Sequence, residues 1–93
     1  FHFMNSDFLL SDEGDVVFVQ DRPFLRPVVR AEFFAESGTL ILFFDNEDSR
    51  MIECEISNER LIQAICEAPH IILSHVAGET LQDGHQVPLI AIR

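Results

Sequence analysis

The cleanest alternation of apolar and polar positions in this chain is RMIECEIS, residues 50–57, where Ile52, Cys54 and Ile56 point one way and Glu53 and Glu55 the other. A period of two is that of a strand with one buried face. A β-branched run, DVVFVQ at 15–20, is bounded by Asp12-Glu13-Gly14 and by Pro23, and predicts a first strand. Residues 28–44, VVRAEFFAESGTLILFF, read as a hairpin with Ser37 and Gly38 as a two-residue loop. Counting outward pairs Ala35 with Leu40, Phe33 with Leu42 and Ala31 with Phe44 on one apolar face. The other face pairs Phe34 with Ile41, Glu32 with Phe43 and Arg30 with Asp45. Both faces are largely apolar, which predicts a sheet covered on both sides, one cover coming from a second subunit. The candidate subunit interface is therefore Ala31, Phe33, Leu40, Leu42 and Phe44.

Only one stretch changes to a helical period. Leu61, Ile62, Ile65 and Cys66 share an i, i+3, i+4 stripe, with Ser57 as the N-cap, Glu59 in the first turn and Pro69 as the stop. This predicts a helix over 58–68, packed on the sheet by that stripe. The last third reads as a second hairpin turning at Asp83-Gly84, so that Thr80 pairs with Val87 and His75 with Ile92. Gly78 is a candidate bulge, and Pro88, which has no N–H to donate, predicts that the last strand is an edge there or begins just after it. The elements together predict an α+β fold: an antiparallel sheet of about five or six strands in a meander of hairpins, with one α-helix packed on one face. No repeat, linker or low-complexity segment divides residues 1–93, so they read as one small domain. Met4 is a candidate natural start, which would make Phe1 to Phe3 a remnant with no role; a piece of a longer protein fits equally.

Composition sharpens this picture. A chain of 93 residues that is 47% apolar, with a mean hydropathy of +0.15, has little polar surface to cover its core, which favours a homo-oligomer. The longest uninterrupted apolar run, Leu40 to Phe44, is far too short to span a bilayer. Lysine is absent, and sixteen acids against six arginines give a net charge of −10. Such a surface repels phosphate, so neither nucleic acid nor an anionic membrane is an expected partner. A basic protein or a cationic small molecule suits it better. Two cysteines and no recognisable leader predict a cytoplasmic protein without a disulfide framework.

Candidate chemistry is sparse. Cys66, His70 and His75 fall within ten residues, but an odd separation sends His70 and His75 to opposite faces of a strand, and the spacing matches no zinc pattern. Cys66 lies at the C-terminal end of the helix, where the dipole disfavours a thiolate, so it is not an expected nucleophile. No metal, cofactor or catalytic set is predicted. His75 stands out as a polar residue on the apolar face of Ile71 and Leu73. Arg22, Arg26 and Arg30 recur every four residues in DRPFLRPVVR, where two prolines keep the chain extended. On one face they would form an anion or acidic-partner site. The functional expectation is a non-enzymatic binding module that self-associates. The alternatives are an acidic inhibitor or immunity-type protein acting on a basic partner, and a small enzyme or binding protein with a phenylalanine-lined pocket for an apolar cation. An enzyme would need His70 or His75 beside Glu53 or Glu55.

Overall fold

A computed structural model describes residues 8–24, 26–44, 52–82 and 84–93. In chain order the elements are β1 (Phe8–Leu10), β2 (Val16–Gln20), β3 (Val28–Phe34), β4 (Thr39–Phe44), β5 (Ile52–Glu55), α1 (Glu59–Glu67), β6 (His70–Ala77), β7 (Thr80–Leu81) and β8 (His85–Ile92). The sheet order is β1-β2-β6-β8-β3-β4-β5, with the short β7 pairing onto β6. The molecule is mostly β, a mixed sheet curled into a half-barrel with one short helix.

This corrects the expected antiparallel meander of five or six strands. β6 runs parallel to β2 and β8 runs parallel to β3, because the β6–β8 hairpin is inserted between two strands that follow one another in sequence. Sequential strands pair more often than not, and that tendency fails here for a local reason. The β2–β3 connection contains Pro23 and Pro27 and no turn dipeptide, so it bridges a gap instead of closing a hairpin. The continuous run Ile71-Ile72-Leu73 suits the interior strand that fills the gap.

Registers differ from expectation in two places. In the β3–β4 hairpin Phe34 pairs with Thr39, Phe33 with Leu40 and Ala31 with Leu42, a register shifted by two positions from the predicted pairing. The loop is Ala35–Gly38, closed by the Gly38 N–H donating to the Phe34 carbonyl at 2.8 Å, with Gly38 at φ +71°. A slip of two preserves which side chains share a face, so the predicted faces survive the wrong loop. The second hairpin turns at Gly78-Glu79, between the paired Ala77 and Thr80, with Gly78 at φ +64° in the first central position as a II′ turn requires. Gly84 follows where a Cβ would meet the Leu73 carbonyl at 2.6 Å; it is a glycine for want of space. Its neighbour Asp83 lies outside the described residues, as do Phe1 to Phe3 and the 45–51 segment that contains Asp45.

Pro88 lies within β8, not before its start, and is paired on one side only. β8 pairs with β6 through His85–Pro88 and with β3 through Leu89–Ile92, so the proline sits at the handover, where one ladder has ended and the next begins. The helix is capped by Asn58, one residue later than expected: its Oδ1 accepts from the Leu61 N–H at 3.1 Å. Leu61 and Ile65 are wholly buried on the concave side of the sheet against Ala31, Phe33, Leu40, Leu42, Ile71, Leu73, Val87 and Leu89. Phe8 and Phe18 extend this core toward β1, with ring centroids 5.2 Å apart.

Candidate interaction surface

The curl of the sheet divides its two faces. From Ala31 onward the odd-numbered positions of β3, and the even-numbered positions of β4, point inward, and the four expected interface residues Ala31, Phe33, Leu40 and Leu42 have no exposure at all. Phe44, the fifth, is half-buried against the same core. The expected subunit face is thus the protein's own interior, closed by α1 rather than by a second chain. The opposite face holds the surface that folding leaves uncovered.

Cross-strand registers build that convex face row by row. Ile92, Phe34, Thr39 and Glu55 form one row across β8, β3, β4 and β5, and Ile90, Glu32, Ile41 and Glu53 form the next. Arg30 and Phe43 make a third, shorter row. Ile90 and Ile92 remain 55% and 38% exposed, and Val29, in the bulge at the start of β3, 43%. Phe34, Ile41 and Phe43 are half-buried beside them. Scattered apolar residues on a surface need no explanation, but contiguous ones on the face of one sheet mark a contact site. Toward β2 the same side is closed, since Val17 and Val19 are buried and Ser74 Oγ donates to the Gln82 carbonyl.

The arginine stripe is not assembled. Arg26 lies 5.7 Å from the Phe44 ring and Arg30 4.0 Å from the Phe43 ring, and consecutive strand residues face opposite sides of a sheet. Arg22 is on the exposed β2–β3 connection, and a register shift between Val28 and Arg30 breaks the spacing of four. Arg30 is occupied twice over, stacked on Phe43 and with its Nε 3.3 Å from Glu32 Oε2. A partner's carboxylate would have to displace both contacts.

The histidines and cysteines are dispersed too. His75 is half-buried at the end of the concave face, opposite Gln20 in the parallel β2–β6 register. His70 points the other way, its Nε2 3.6 Å from Asp15 Oδ1 across β2 and β6. This pair lines a groove of about 570 Å³ beside Arg60 and Glu67, which is rich in acids and open to solvent. Glu53 and Glu55 are on β5, four strands from β6 in the sheet order, so neither histidine meets them. Cys54 and Cys66 are half-buried at the margin of the core, and Cys66 lines a groove of about 550 Å³ with Gln63 and Ala35. Among the described residues no three His, Cys, Asp or Glu side chains converge as a metal ion requires. Phe8, Phe18 and Phe33 are core residues, not the walls of a pocket.

Compared with family models, curated proteins and solved structures, the chain matches none. No helix is long and apolar enough to cross a membrane among the described residues. The convex face was legible in part, since Phe34, Ile41 and Phe43 share a face in the hairpin reading. Ile90 and Ile92 were missed as members of it, because only the parallel β3–β8 pairing brings them there.

Proposed function

We propose that this protein is a non-enzymatic interaction module that docks another protein on the convex face of β8, β3 and β4. The observation that carries this reading is the exposure of Ile90 and Ile92 on the same face as the half-buried Phe34, Ile41 and Phe43, on a sheet whose other face holds the core. Removing such side chains from water on binding supplies about 25 cal/mol per Å² of apolar area, a driving force that folding has left unspent. The dispersal of His70, His75, Glu53 and Glu55 supports binding over catalysis. A cytoplasmic site of action fits two cysteines outside any disulfide-dense framework.

The test uses peptides selected from a random library on the immobilised protein. They should lose binding to the double variant Ile90→Ser/Ile92→Ser while its unfolding midpoint falls far less than that of a core variant, because both side chains are already partly in water. Selected peptides that bind parent and variant equally well would place the recognition surface elsewhere.

A further inference from the structure

The convex face is chemically lopsided, and the asymmetry specifies what fits it. Its β8 side is apolar, with Ile90 and Ile92, whereas its β5 side carries the exposed carboxylates of Glu53 and Glu55. Between them lies a half-buried floor of Phe34, Ile41 and Phe43, with Thr39 and the Arg30-paired Glu32 set among them. The described arginine in these rows, Arg30, is already stacked on Phe43 and paired with Glu32, so it does not neutralise Glu53 or Glu55. Among the described residues these two carboxylates make no ion pair, on a chain that carries ten net negative charges.

A second copy of the chain is a poor occupant for this face. It would bring a further charge of −10 to a chain that already carries the same excess, and that repulsion opposes the contact. An added β-strand is a poor occupant as well. Ala31–Phe34 of β3 and Thr39–Leu42 of β4 have ladder partners on both sides, so nothing can join these two segments through main-chain hydrogen bonds. An occupant must therefore settle on the face by side chains. The distance from β8 to β5 is three strand spacings, roughly 14 Å, which accommodates one helix of about 10–12 Å diameter lying across the floor.

We infer that the occupant of the convex face is a basic amphipathic α-helix of another protein, with its apolar stripe on Ile90, Ile92, Phe34 and Ile41 and Lys or Arg along the flank that meets Glu53 and Glu55. The inference rests on the reading of this face as a docking surface and adds the chemistry of the partner. The apolar stripe supplies the affinity, and the two carboxylates orient the helix and speed its approach.

Two synthetic helices of roughly 15 residues, long enough to hold a bound helix, test this. Both carry leucine at i, i+3, i+4 and i+7; one has lysine along a single flank and the other glutamate at the same positions. Titrated into protein labelled at its isoleucine methyls, the lysine helix should shift Ile90, Ile92 and Ile41 and leave the buried Ile65 and Ile71 in place. Its affinity should fall severalfold between about 50 and 500 mM sodium chloride, where screening shortens to a few ångströms. In Glu53→Gln/Glu55→Gln, which alters exposed groups only, it should fall roughly two- to tenfold. Equal binding of the two helices, or no change in the glutamine variant, overturns the basic partner while leaving the docking face intact. Concentration-dependent shifts of Ile90 and Ile92 without peptide would make a second copy the occupant and overturn it too. If neither helix moves those methyls, the inference fails, and the library-selected peptides then judge the face separately.

Discussion

Replacing Phe33 by alanine is expected to lower the free energy of unfolding by about 3–5 kcal/mol, whereas replacing its neighbour Phe34 should cost under about 1.5 kcal/mol. The two residues are adjacent in sequence and identical in type, and they differ only in the side of β3 they occupy. Phe33 has no exposure and packs with Leu40, Leu61 and Ile65 beneath α1, so its loss leaves a cavity that surrounding side chains cannot fill. Phe34 already has part of its ring in water and loses less on truncation. Since small domains have only about 5–15 kcal/mol in total, the first variant should be close to unfolding at physiological temperature. Urea denaturation of both variants is the measurement. Losses of similar size would mean that both faces of β3 are core, which would leave no face for recognition.

The second large effect is expected at Gly38. Alanine there should destabilise by about 2–4 kcal/mol, from two sources that add. The backbone lies at φ +71°, which L-residues rarely adopt, and the new Cβ would run into the Ile56 carbonyl. That carbonyl cannot move away cheaply, because the Ile56 N–H donates to the Gly38 carbonyl at 2.7 Å and ties the entry to α1 onto the hairpin loop. Gly78→Ala is the matched control. Its φ of +64° is similar, but nothing lies within 4 Å of the added atom, so only the conformational part of the cost, about 1 kcal/mol, should appear. Equal losses in urea denaturation would show that the contact with Ile56 contributes nothing.

These two cases also show which parts of the fold the sequence makes legible. Period-two alternation sorted the faces of β3, β4 and β5 correctly even where the loop was misplaced, since a register error of two positions leaves every side chain on its own side. The helix was legible for a similar reason: Leu61 and Ile65 must share a face at any helix boundary. Strand order was harder to read, because nothing local to β2 or β3 says that a hairpin arriving some forty residues later will separate them. Two features did bear on it, the proline-rich connection and the uninterrupted Ile71-Ile72-Leu73. The turn of the second hairpin was lost to a stronger dipeptide, as Asp83-Gly84 outranks Gly78-Glu79 by turn chemistry alone. Gly84 serves close packing against Leu73 instead.

The docking surface was only half legible for the same reason. Phe34, Ile41 and Phe43 come from one hairpin, and local alternation places them together. Ile90 and Ile92 join them through a parallel pairing of β3 with β8, a contact between distant parts of the chain. The predicted interface residues had the right pattern on the wrong side: Ala31, Phe33, Leu40 and Leu42 form the more apolar face, and the more apolar face is the one the helix covers. What remains for a partner is the face with acids along one flank.

The division between a closed concave face and an open convex one is tested most directly by paramagnetic relaxation of isoleucine methyls with a soluble neutral agent, on the isolated protein over a wide range of concentration. Ile90 and Ile92 should relax strongly and to the same extent at every concentration, while Ile56, Ile65 and Ile71 stay protected throughout. Protection of Ile90 and Ile92 comparable to that of Ile65 and Ile71 would show that the convex face is already covered, and would contradict its assignment as a surface held open for a partner.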